Sequence, residues 1–189
     1  MRLIPAPILI LPLTLAACVA VPLPGSEASI TTPLYRADDA QIGTVVMTQG
    51  RGGALLQIVA TGLPPGRHGV HLHAVGLCGR RGDFSTAGAH WNPSERQHGH
   101  DNPAGFHAGD LGNVEVGADG QLSATLTATG ARMNAAAGGS GPVIADADGA
   151  TLVIHASADD ERTDPSGNSG DRIACAVLVE PAAAPAPAN

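Results

Sequence analysis

Between residues 30 and 180 the chain nowhere sustains the 3.6-residue apolar repeat of an amphipathic helix. Short alternating segments recur instead, each closed by turn residues. Strands are expected near 31–36, 42–49, 54–61, 68–74, 110–116, 121–128, 151–156 and 172–179. Turn signals separate them at Ala37-Asp38-Asp39, Gln49-Gly50-Arg51-Gly52, Leu63-Pro64-Pro65-Gly66 and Gly117-Ala118-Asp119-Gly120. Ala131 to Ala137 allows one helical turn at most. Eight short strands fit an all-β fold, an eight-stranded Greek-key barrel or sandwich. The 25 Gly and 15 Pro, with only 14% charged residues, favour strands and turns in the same way. Three connections, 75–109, 129–150 and 157–171, are too long for hairpins, and long loops in a compact domain usually carry function.

Two of these loops hold the chemistry. All eight histidines lie between positions 68 and 155. In Gly69-Val70-His71-Leu72-His73, strand alternation turns Val70 and Leu72 into the core and both imidazoles outward. Thr151-Leu152-Val153-Ile154-His155 repeats the pattern, placing His155 outward at the strand end. Three imidazoles on the outer surface can then meet beneath the 75–109 loop. That loop, with the residue that follows it, supplies His90, His98, His100, His107 and Asp110. Imidazole suits zinc and copper, and a carboxylate is a common companion for zinc. A lone histidine is more often a surface or hydrogen-bonding residue, but an H-x-H pair facing five further candidates reverses that balance. Phosphate-loop, dinucleotide and nucleophile-elbow fingerprints are absent, as are Cys-x-x-Cys and His-Glu-x-x-His. All ten basic residues are Arg and the formal charge is −7, which leaves no basic footprint for nucleic acid.

The N-terminus reads as a targeting segment. Arg2 precedes an apolar run from Leu3 to Ala17, too short and too Pro-interrupted for a membrane span. It ends in Leu15-Ala16-Ala17-Cys18, which resembles the lipobox of bacterial lipoproteins. That resemblance implies a lipoprotein-type signal over 1–17, cleavage before Cys18, acylation of Cys18, and membrane contact through this lipid anchor. The expected location is the periplasm or cell envelope. Val19 after the cysteine favours the outer membrane. Cleavage removes Arg2 and no acid, taking the charge from −7 to −8. Residues 18–29 read as anchor and linker, 30–180 as the domain, and 181–189 as an Ala/Pro-rich tail.

Four motifs then agree. Gly69-Val70-His71-Leu72-His73, Ala87-Gly88-Ala89-His90-Trp91-Asn92-Pro93, His107-Ala108-Gly109-Asp110-Leu111-Gly112-Asn113 and Gly167-Asn168-Ser169-Gly170-Asp171-Arg172-Ile173-Ala174-Cys175 resemble, in order and spacing, the copper–zinc superoxide dismutase family. The resemblance covers nearly all of residues 30–180. It implies copper on His71, His73, His90 and His155, and zinc on His90, His98, His107 and Asp110, with His90 bridging the metals. It makes Asp159 the carboxylate that orients one copper and one zinc histidine, against the plainer reading of a solvated loop acid. It makes Arg172 the substrate-guiding arginine, against a surface Arg paired with Asp171. It pairs Cys78 with Cys175, and so accounts for all three cysteines once Cys18 carries lipid. The activity implied is dismutation of the small-molecule substrate superoxide, with Arg172 and His90 in catalytic roles. The alternative is a copper/zinc buffer or delivery protein on the same fold. The resemblance leaves a homodimer open. His68 matches a structural histidine of the family, and His100 matches no ligand position. The loop near Arg172 offers Arg162 against Asp159, Asp160, Glu161, Asp164 and Asp171, so steering of an anion is expected to be weak.

Overall fold

A computed structural model describes residues 28–79 and 82–183. The expected signal segment, Cys18, most of the linker and residues 184–189 of the tail lie outside the described residues. The eight strands are β1 (Ser29–Arg36), β2 (Gln41–Gly50), β3 (Gly53–Ala60), β4 (Gly66–His73), β5 (Asp110–Val116), β6 (Leu122–Thr129), β7 (Ala150–His155) and β8 (Arg172–Val179). All pairings are antiparallel, in the order β5-β4-β7-β8-β1-β2-β3-β6. Chain-consecutive β5 and β6 stand at the two ends of this order yet touch, so the sheet curls into a nearly closed barrel. The crossings β3 to β4 and β6 to β7 give the Greek-key path.

The alternation read from the sequence fills the barrel. Leu34, Val45, Met47, Leu56, Ile58, Val70, Leu72, Leu152 and Ile154 are fully buried in one cluster. Strands β1 to β3 and β6 show partly exposed outer faces, whereas β7 is buried along its whole length and β4 from His68 onward. The reason is the long loops. On the outer face, Phe84 and Ala87 of the β4–β5 loop pack with Val153 and Cys175 into a second apolar cluster. The disulfide Cys78–Cys175 fastens that loop to β8.

The helical turn allowed at Ala131–Ala137 does not form. Arg132 instead exchanges backbone bonds with the far side of its own loop, donating to Pro142 O and accepting from Ile144 N–H, each at 2.8 Å. Met133 and Ile144 are buried in the core and pin this loop as a closed bend. Among the described residues the only helical piece is a 3-10 turn at Ser85–Ala87. No helix among them is long and apolar enough to cross a membrane.

Candidate metal centre

The loop carrying His90 is held against the barrel as a short pseudo-strand. His73 and His90 form an isolated antiparallel bridge. Ala74 N–H donates to Ala89 O at 2.9 Å and Trp91 N–H to Leu72 O at 2.8 Å. On its other side, Gly109 N–H reaches Trp91 O at 2.9 Å. These bonds lay His90 beside His71 and His73 on the outer face of β4, with His155 arriving from β7. All four imidazoles are buried.

The other nitrogen of most of these rings is already committed. His71 donates from Nε2 to Asp159 Oδ2 at 2.6 Å. His73 donates from Nδ1 to Gly88 O at 2.9 Å, and His155 from Nδ1 to Gly170 O at 3.1 Å. This fixes which nitrogen of each ring keeps a lone pair. Buried His71 Nδ1 and His90 Nε2 find no partner among the described residues, and His73 Nε2 lies 3.4 Å from His155 Nε2. A buried unsatisfied nitrogen is costly, and a cation satisfies it. The ligand atoms of His71, His73, His90 and His155 all lie within 4.8 Å of one another.

A second cluster forms around Asp110, the first residue of β5. Its Oδ1 lies 3.0 Å from His90 Nδ1, 3.0 Å from His98 Nδ1 and 3.2 Å from His107 Nδ1. Its Oδ2 accepts from the backbone N–H of Gly99 and His107, each at 3.0 Å. By mutual distance alone the group is His71, His90, His98 and Asp110, without His107, which joins through its Nδ1 contacts with Asp110 and, at 3.4 Å, with His90 Nδ1. His71 is the poorer fourth member, because its Nε2 is taken by Asp159 and its Nδ1 faces the first cluster. One carboxylate and three imidazole nitrogens form a donor set that suits zinc. His90 thus presents Nδ1 to one cluster and Nε2 to the other.

Asp159 joins the two groups. It is buried, not a solvated loop acid: Oδ2 accepts from His71 and Oδ1 from His98 Nε2 at 3.0 Å. Gly167 has φ 62°, and a Cβ there would overlap Asp159 Oδ1 and crowd the His98 ring, so this turn needs glycine. Burial pushes His73 down to about 2, His155 to about 3 and His90 to about 4, with neighbouring imidazoles adding to the effect. These rings are neutral at ordinary pH and ready to bind a cation. For His98 burial acts the same way, but hydrogen bonds to Asp110 and Asp159 overcome it and raise the ring to about 10. Burial would raise both carboxyls, and hydrogen bonds from the histidines instead hold them well below the usual range.

Arg172, the first residue of β8, does not pair with Asp171. Its guanidinium donates to Phe84 O at 2.8 Å and to Gly88 O at 2.6 Å. Half-buried, it shares a cleft of about 280 Å³ with His73, His90 and His155. Gly88 O therefore serves both Arg172 and His73. Sequence reasoning did not single out Phe84 or Gly88 for this role, since backbone carbonyls carry no sequence signature. Phe84, the one large apolar residue between Cys78 and His90, is the available hint. His68 binds two carbonyls, Pro64 O and His155 O, each at 2.8 Å, and stays outside both clusters. His100 also stands apart, with Nδ1 2.8 Å from Glu161 Oε2.

Residues 41–178 match the family model for copper/zinc superoxide dismutase. The chain belongs to that family, and copper and zinc are its metals. It is 38% identical over 151 residues to the copper–zinc superoxide dismutase of Caulobacter vibrioides, covering 79% of this chain and 85% of that one. It is 44% identical over 128 residues to the superoxide dismutase-like protein YojM of Bacillus subtilis, covering 67% of this chain but only 63% of that one. A solved superoxide dismutase-like protein from Bacillus subtilis superposes with a TM-score of 0.73 at 39% identity, covering 78% of this chain and 97% of that one.

Proposed function

We propose that this protein is an enzyme that dismutates superoxide, converting two superoxide ions and two protons to one oxygen and one hydrogen peroxide. The observation that carries the reading is the close group of His71, His73, His90 and His155, of which His73, His90 and His155 line one cleft with Arg172. Copper on these four nitrogens, with zinc on His90, His98, His107 and Asp110, would supply the one-electron chemistry between two superoxide ions. Arg172 keeps its charge at any ordinary pH, and its two carbonyl bonds hold it at the cleft wall. It would draw in a small anion and orient it. His90 Nε2, when it is not a ligand, would hold a proton toward the cleft. From that position, on the cleft wall near Arg172, it would pass the proton to a peroxide product. Asp159 would keep His71 and His98 in their metal-facing tautomers.

A second reading is a metal-holding protein without turnover, and the likeness to a relative named only dismutase-like favours it. Against it, a buffer has no use for a charged arginine on the cleft. In the same proposal, Cys18 carries a lipid that holds the domain to a membrane of the cell envelope. The deciding experiment loads the protein with copper and zinc, counts both metals, and assays superoxide decay with and without cyanide. Cyanide-sensitive decay supports the enzyme. One copper and one zinc per chain without decay would leave the metal-holding protein.

A further inference from the structure

His100 is the histidine that the two clusters leave over, and its surroundings are specific. Its Nδ1 donates to Glu161 Oε2 at 2.8 Å, and its ring packs on Phe106 with centroids 4.3 Å apart. Although 40% exposed, the ring is therefore held from two sides. Glu161 belongs to the β7–β8 loop, and each of its polar groups is engaged. Its backbone N–H donates to Asp159 Oδ1 at 2.6 Å. Its backbone O accepts from Asp101 N–H at 3.1 Å. Its Oε1 lies 3.4 Å from Asn113 Nδ2, and that amide also donates to Asp159 O at 3.0 Å.

Glu161 adopts this arrangement at φ 61°, a left-handed conformation that a glutamate rarely takes. Such a backbone persists only where its surroundings over-determine it. Gly99, between His98 and His100, lies so close that any Cβ would overlap Glu161 O. The Arg162–Asp101 pair at 3.6 Å spans the same two loops but is exposed, and adds little.

From this geometry we infer that His100 and Glu161 form a clasp between the β4–β5 and β7–β8 loops, and that Glu161 is a positioning residue for Asp159. The clasp fixes the backbone N–H that orients Asp159 Oδ1, and Oδ1 in turn aligns His98. Its action falls on the zinc side, because His98 lies in the loop it holds and bonds Asp110, the first residue of β5. The inference rests on the assignment of zinc to His90, His98, His107 and Asp110.

The test is the rate at which the copper- and zinc-loaded protein loses zinc to a chelator, for wild type, His100→Ala, Glu161→Ala, the double variant and Glu161→Gln. Outer partners of metal ligands are commonly worth about 10–100-fold in affinity. One step further out, zinc release should accelerate about 3–10-fold in each alanine variant. The double variant should be no faster than Glu161→Ala, which already removes the shared bond to His100 together with the contact to Asn113. Glu161→Gln keeps an oxygen acceptor and should restore most of the wild-type rate, which a packing role would not require. His100→Ala removes an exposed ring and keeps the test usable should Glu161→Ala misfold. Unchanged release, additive effects, or no rescue by glutamine would overturn the clasp. A wild-type protein that takes up no zinc would instead overturn the underlying assignment.

Discussion

Removing the Cys78–Cys175 bridge tests how much the outer loop relies on a covalent tether. The bridge closes a loop of 97 residues. In the chain-entropy account a closure of that length restricts the unfolded chain by about 4.7 kcal/mol at 25 °C. Cys175 is fully buried against Phe84, Ala87 and Val153, so serine there would bury an unsatisfied hydroxyl and blur the result. The suitable variant is therefore Cys78→Ala with Cys175→Ala. At about 2–4 °C per kcal/mol for a domain of this size, the metal-free protein should lose about 10–18 °C in Tm. Calorimetry of the variant, beside wild type with and without dithiothreitol, measures this directly. The loss should not be global alone. Thr86 Oγ1 ties Gly79 N–H to Leu77 O on either side of Cys78, and Phe84 and Gly88 supply the carbonyls that hold Arg172. Activity of the loaded variant should fall more than metal content does. A Tm drop of less than about 3 °C would refute the unfolded-chain account of the tether.

Four further outcomes are expected. Arg172→Ala should lower kcat/KM for superoxide about tenfold and flatten its dependence on ionic strength; an unchanged salt profile removes Arg172 from steering. Asp159→Asn leaves an amide that cannot accept from both His71 and His98, and chelator competition should show copper and zinc affinities reduced about 10–100-fold. The metal-free protein should lose stability as pH falls below 6.5, because His73, His90 and His155 resist protonation when folded but accept it near 6.5 when unfolded. His98 has the opposite sign: its contribution is complete below 6.5 and fades as pH rises toward about 10. Urea midpoints that hold steady from pH 6.5 to 4.5 would count against the buried neutral rings. Cys18→Ala should move the protein from the membrane to the soluble fraction of envelope preparations; unaltered partitioning would exclude the lipid anchor.

The sequence is most legible where one residue reports one geometry. Strand alternation placed His71 and His73 on the outer face, and Val70 and Leu72 in the core, because a two-residue period admits no other arrangement. The outer faces of β4 and β7 were harder, since their burial depends on loops that fold back from elsewhere. The bend at 131–144 has no local signature for a related reason: Arg132 pairs with Pro142 and Ile144, ten and twelve positions on, and that closure outweighs any helical preference of the alanines. Least legible were partners distant in sequence. Arg172 is held by carbonyls 84 and 88 residues away, and His100 meets a glutamate 61 residues on. No local pattern encodes either one.

The pseudo-strand at His90 has a consequence for the order of assembly. Its bonds are made to the end of β4, and the first cluster closes only when β7, some eighty residues beyond β4, pairs along the other edge. The four nitrogens thus have no common position in an unpaired chain, and before β7 pairs the first cluster has His71, His73 and His90 but lacks His155. The second cluster, drawn wholly from residues 90–110, carries no such requirement. The two clusters therefore differ in what the fold must complete first: one needs only the β4–β5 segment, the other needs the barrel wall closed by β7.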